Sequence, residues 1–85
     1  MQKIKYNEIK NKNIKIIDVQ DKHEYKKHHL NNSINIPYDE LMGNYKTYLN
    51  KQDLYYITCE KGHLSKRAVS ILECLGYNVI MLEKD

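Results

Sequence analysis

The sequence predicts an α/β chain, with a central and mostly parallel sheet flanked by helices. Three observations carry that expectation. Short apolar, β-branched runs alternate along the chain with segments of helical apolar spacing, the pattern of strands joined by crossover helices. The single Pro37 and the three glycines act as punctuation around these segments. Finally, 85 residues make one domain and no more, so all the elements must share one small core. No internal repeat, low-complexity segment or linker divides the chain.

The elements follow in order. Lys3-Ile4-Lys5-Tyr6 alternates polar and apolar residues and reads as a short edge strand. Asn7 is placed to cap a brief helical turn through Asn11. Ile14 to Val19 is a β-branched run that includes Asp18, a buried strand. Asp21 to Lys27 is polar, with Asp21 as N-cap and Glu24 three residues on, a capping-box pattern. Ser33 to Ile36 is a short strand that Pro37 stops. Asp39 to Leu49 carries Leu41, Met42, Tyr45, Tyr48 and Leu49 at helical spacing. Gly43 weakens that helix by about 1 kcal/mol relative to Ala. Leu54 to Thr58 is an apolar strand that leads into Cys59. Ser65 to Leu75 is a helix with Ala68, Val69, Ile71, Leu72 and Leu75 on its inner face, and Gly76 is its C′ stop. Tyr77 to Leu82 closes the chain as a strand.

Composition excludes several classes. Hydrophobic residues at 41% and charged residues at 29% describe a globular chain rather than a disordered one. The longest apolar runs, such as Val79 to Leu82, fall far short of the ~20 residues of a membrane span. Lys3 and Lys5 precede no apolar stretch of a secretory signal, so the expectation is a cytoplasmic protein, and a monomer. The net charge of +3 comes from scattered lysines with Arg67 as the only arginine, which argues against a nucleic-acid partner. Cys59 and Cys74 form no CxxC, so neither a thioredoxin-like pair nor a zinc knuckle fits, and free thiols are expected.

The segment that carries chemistry is Cys59-Glu60-Lys61-Gly62-His63-Leu64-Ser65. In open parallel sheets the ligand site lies beyond the carboxyl ends of the strands, and this segment follows one. A cysteine ends the strand, a tight loop follows, and a helix begins at Ser65. Backbone N–H groups in such a loop converge on one point, and the helix adds its positive end. Both favour the thiolate, which is the nucleophilic form. Gly62 lets the loop take positive φ without strain. A buried structural cysteine at a strand end is the plainer alternative for this segment alone.

The wider sequence resembles the rhodanese-like family. Residues 17–37, running from Ile17-Asp18-Val19-Gln20 through Glu24-Tyr25 and His29 to Asn35-Ile36-Pro37, look like the family's first motif, I-D-V-R, then E-F/Y, then G-H-I-x-G-A-x-N-I/L-P. Cys59, Gly62, Ser65, Leu72, Gly76 and Tyr77 match in order the second, C-x-x-G-x-R-S followed by L-x-x-x-G-F/Y. The resemblance spans nearly the whole chain. It implies a three-layer fold and a sulfurtransferase or persulfide carrier with Cys59 as nucleophile. It also implies that the loop Glu60, Lys61, Gly62, His63, Leu64 and Ser65 binds the sulfur substrate. No metal or organic cofactor is implied. The partners would be thiosulfate or a persulfide donor, small or protein-borne, and a thiol or cyanide acceptor.

Three departures bear on substrate. Gln20, Glu60 and Leu64 stand where the family often has Arg, and guanidinium groups there would hold a dianion. Weak thiosulfate affinity is therefore expected, with a less charged persulfide as donor. The chain also reaches Asp85 where many members continue with G-G and a further helix. Two rivals remain: a non-catalytic rhodanese-like module that binds a partner protein, and a thiol redox sensor in which Cys59 is oxidised to a sulfenic acid. Phosphatase relatives place Arg after Cys and five residues; here that place is Ser65, and Arg67 comes too late.

Other residues are less telling. His23, His28 and His29 do not present two ligands on one helical turn, and the resemblance makes His29 structural. His63 either tunes Cys59 or simply faces solvent. Asp18 is expected to hold loops together rather than to move protons. Cys74 lies ~13 Å along the helix axis from Ser65, too far to pair with Cys59. The eight tyrosines are spread along the chain and make no base-stacking platform.

Overall fold

The computed structural model describes residues 1–10 and 12–84. Five strands form one sheet: β1 (Lys3–Lys5), β2 (Lys15–Asp18), β3 (Ser33–Asn35), β4 (Leu54–Thr58) and β5 (Asn78–Glu83). Their order is β1-β5-β4-β2-β3, and every pairing is parallel. Four helices join them: α1 (Lys22–Lys27), α2 (Tyr38–Gly43), α3 (Tyr45–Tyr48) and α4 (His63–Cys74). A 3-10 turn over Tyr6–Glu8 follows β1. The proposed end of that turn, Asn11, lies outside the described residues.

The strand order dictates the layers. From β2 the chain moves outward to β3, whereas from β3 to β4 and from β4 to β5 it moves the other way. Right-handed crossovers therefore put α2, α3 and α4 on one face, and the connections through the 3-10 turn and α1 on the other. The buried side chains agree. Ile17, Ile57, Val79 and Met81 pack with Leu41, Ala68, Val69 and Leu72 of the helices. On the opposite face Ile16, Tyr56 and Leu82 pack with Ile9. Alternation along each strand sorts the two sets.

Four expectations need correction. Lys5, not Asn7, is the N-cap of the 3-10 turn, and Asn7 lies within it. The helix expected over 39–49 is two helices, because Asn44 leaves helical geometry at φ −140° and its amide bonds back to the Leu41 carbonyl. α4 begins at His63, not Ser65, because Gly62 serves as its N-cap and the Gly62 carbonyl accepts from Lys66. On α4 only part of the expected inner face is buried. Ala68, Val69 and Leu72 are enclosed together with Ser65, while Ile71 and Leu75 are 40% and 37% exposed. Ile71 and Leu75, four residues apart, form a flanking stripe that turns away from the sheet. The helix stop holds as expected: Gly76 takes φ +93°, and the Tyr77 amide bonds back to the Leu72 carbonyl at 3.0 Å.

Asn32 is the only non-glycine residue at positive φ among the described residues, at +67° just before β3. Asn tolerates this region better than most residues, and Gly tolerates it best. Asn32→Gly is expected to leave the fold unchanged and alter stability by less than about 1 kcal/mol, whereas Asn32→Val should lose about 1–2 kcal/mol. Urea unfolding of both variants checks this.

Candidate active site

β2 and β4 are neighbours, yet the chain leaves them in opposite directions. The loops beyond their carboxyl ends therefore splay apart at a topological switch point. A cleft of about 490 Å³ opens there, lined by Gln20 and Asp21 from one loop and by Cys59, Lys61, His63 and Leu64 from the other. A second cleft of about 260 Å³ lies between the Cys59 loop and the end of β5, where Met81 and Lys84 meet Cys59, Glu60 and Lys66. Cys59, Glu60, Lys61 and His63 line both.

Cys59 is 6% exposed, and its sulfur is held by backbone. The Gly62 amide donates to Sγ at 3.2 Å and the Ser65 amide at 3.3 Å. The second bond has a direct cause. The amides of a helix's first turn lack intrahelical acceptors. Counting from the Gly62 N-cap, Ser65 is the third helical residue, where a capping side chain normally accepts the amide. Cys59 Sγ fills that role. The positive end of the 12-residue α4 thus faces the sulfur, the kind of place where helices bind anions. The Ser65 hydroxyl is fully buried, 3.4 Å from Sγ, and donates to the Gly62 carbonyl at 3.2 Å.

Gly62 makes the turn possible. It sits at φ +84°, and a Cβ there would come within 3.1 Å of the Met81 side chain. Any other residue meets both backbone strain and a close contact from β5.

Behind the loop lies a polar tie. Asp18 ends β2 and is fully buried. It accepts the Gln20 amide at 2.9 Å on one oxygen and the Gln20 side-chain amide at 2.9 Å on the other. That side chain also donates to the His28 carbonyl, while Asn35 Nδ2 donates to the Asp18 and Gln20 carbonyls. Asp18 thus holds Gln20, whose side chain reaches the loop after α1, while Asn35 ties the end of β3 to the same segment through backbone carbonyls.

Lys84 was not foreseen. Its ammonium lies 3.0 Å from the Glu60 carboxylate and 3.8 Å from that of Asp18, with its side chain only 14% exposed. The hydrogen bond from Lys84 holds the Glu60 carboxyl below its ordinary range, and its charge and that of His28 act in the same direction. The parallel register explains the meeting. Ile57 is paired with Met81, so residues three further along each strand, Glu60 and Lys84, emerge side by side. Sequence alone does not supply that register.

The remaining candidates fall into place. His29 stacks on Tyr25 with ring centroids 3.9 Å apart, and its Nδ1 lies 2.6 Å from the Tyr25 carbonyl. This is a structural contact. Among the described residues no three His, Cys, Asp or Glu side chains are grouped to hold a metal ion. Cys59 and Cys74 are free, the first buried and the second exposed. No helix among the described residues is long and apolar enough to cross a membrane.

A strand-end cysteine cradled by loop amides at a helix start, on a five-stranded parallel sheet, defines a domain built for chemistry or recognition at one sulfur. The rhodanese-like domain pattern matches residues 2–85, and the chain belongs to that family. It is 37% identical over 62 residues to the adenylyltransferase and sulfurtransferase uba4 of Ogataea parapolymorpha, covering 73% of this chain but only 16% of that protein. The rhodanese-like domain protein of Staphylococcus aureus superimposes with a TM-score of 0.86 at 31% identity, covering 98% of this chain and 85% of the other. A rhodanese from E. coli solved with anions gives 0.74 at 30% identity, covering 85% and 87%. The family is one of sulfur transfer, and the distant homologue is a sulfurtransferase.

Proposed function

We propose that this chain is a rhodanese-type sulfurtransferase or persulfide carrier that works through Cys59. The supporting observation is the pair of amides, Gly62 and Ser65, directed at Sγ from the start of α4. They stabilise a thiolate, which attacks the outer sulfur of a donor. With thiosulfate, the Cys59 S–S bond forms as the S–SO3 bond breaks. Sulfite leaves with the electron pair of that bond, and Cys59 carries a persulfide anion. With a persulfide R–S–SH, the outer sulfur and its proton pass to Cys59 and the thiolate R–S⁻ leaves. An acceptor thiolate or cyanide then attacks the outer sulfur and regenerates the Cys59 thiolate. Charge is conserved in each step, and the protein supplies amides rather than a redox cofactor. Ser65 closes the cradle, and Glu60, Lys61, His63 and Leu64 shape the approach.

Intact-protein mass spectrometry after incubation with thiosulfate, or with a small persulfide, tests this. The expected result is a reducible gain of one sulfur at Cys59. No gain from either donor would favour a non-catalytic binding module instead. The missing arginines make a further prediction. Leu64 flanks the larger cleft, so Leu64→Arg should raise the rate of thiosulfate loading about tenfold by adding a guanidinium for the dianion. Unchanged loading kinetics would refute the argument from charge.

A further inference from the structure

Lys84 has no part in the reaction as written, yet its ion pair with Glu60 forms part of the wall of the smaller cleft beside Cys59. With Asp18 they make a group of three: a buried carboxylate, a half-exposed carboxylate and one nearly enclosed ammonium. The carboxylates outnumber the ammonium, so the group is net negative by one charge. An ammonium standing alone at this wall would draw anions towards the thiol. Paired as it is, it adds little to the pull of Lys61 and Lys66, which line the same cleft.

We propose that the Glu60–Lys84 pair is the donor-selectivity element of this site, cancelling one of the three lysines that line the cleft beside Cys59 so that sulfur donors of low net charge gain relative to dianions. The proposal rests on Cys59 being the reacting atom, as argued above, and assigns Lys84 a role through the local field. Glu60 comes from the loop after β4, and Lys84 follows directly on β5, so the pair is fixed by the register of two central strands. The strand register thus brings the two residues together, while the Lys84 side chain is the more enclosed of the pair. Lys84 also faces Asp18, so its charge is held in place when Glu60 is removed.

The charge count makes a pattern that packing effects would not reproduce. Glu60→Gln takes the group from minus one to zero. Lys84→Met takes it to minus two. The double variant returns it to minus one, the native value. The first test avoids sulfur transfer altogether: alkylation of Cys59 by anionic iodoacetate and by neutral iodoacetamide, followed by peptide mass spectrometry to separate Cys59 from exposed Cys74. The iodoacetate-to-iodoacetamide rate ratio should rise about threefold in Glu60→Gln, fall about threefold in Lys84→Met and return to the native value in the double variant. Lys84→Arg keeps the charge and should keep the ratio, which guards against a Lys84→Met variant that folds poorly.

In the second test, loading from thiosulfate relative to an aminoethyl persulfide, whose ammonium balances its sulfur charge, should change about tenfold in the same directions. Equal ratios in all variants, a double variant that follows Lys84→Met, or a Cys59 that neither reagent reaches would overturn the proposal. If the alkylation ratios follow the charge count while no donor loads sulfur, the selectivity element stands and the sulfurtransferase reading fails.

Discussion

Cys59→Ser is expected to abolish sulfur uptake from every donor, a loss of at least about a thousandfold, while the fold persists. The reason is chemical. A serine hydroxyl is neither ionised at neutral pH nor thiophilic, so it cannot open an S–S bond. The reason the fold persists is structural. The Gly62 and Ser65 amides that now meet Sγ are good donors to an oxygen in nearly the same place, so stability should change by no more than about 1 kcal/mol. Mass spectrometry with each donor and a thermal melt of the same sample read both halves. Cys74→Ser, on the exposed side of α4, serves as the matched control and should retain full uptake. Uptake that survived in Cys59→Ser and vanished in Cys74→Ser would move the chemistry to the other thiol.

Asp18→Ala should produce the largest loss of stability, about 3 kcal/mol, with a fall in Tm of about 15 °C. Asp18 is fully buried, and its removal strips the acceptors from two Gln20 donors at once. It also leaves Lys84 with Glu60 alone. Asp18→Asn should fall between, because its amide group replaces one acceptor oxygen with a donor facing a donor. Neither change touches the amides at Cys59. In the folded fraction Cys59 should therefore still react with a neutral alkylating reagent. A folded Asp18→Ala variant with native stability would show that the tie is dispensable.

The alternation of strands with helices is legible because the central strands are short, apolar and largely buried, so period and composition agree. Leu54–Thr58 keeps the expected bounds, and the other strands differ by a residue or two at their ends. The capping of α1 by Asp21 was equally local, with the Glu24 amide donating to its carboxylate at 2.9 Å. The errors arose where tertiary contacts decide. A run of apolar residues from Leu41 to Leu49 keeps helical spacing across Asn44, and nothing in that spacing reveals the break. α4 begins two residues before Ser65, which is the buried third residue of the helix and whose amide meets the thiol. Of the candidate site, Cys59, Gly62 and Ser65 are local features of one loop and could be read directly. Lys84 belongs to it only through the pairing of β4 with β5, a long-range register that no local pattern encodes.

The pairing of β1 with β5 has a bearing on how the molecule assembles. Lys3 is matched with Met81 and Lys5 with Glu83, and the Met81 amide also bonds to the Gln2 carbonyl. The first strand thus finds its neighbour only after almost the whole chain has been made. Contacts of such high sequence separation slow folding, because the loop must close before any contact rewards it. During synthesis β4 and α4 can emerge and dock first, leaving the edge of β4 open and β1 unpaired until β5 arrives between them. Open parallel edges are adhesive. β1 therefore stays unpaired until β5 has been made, and its three residues then cover the outer edge of β5.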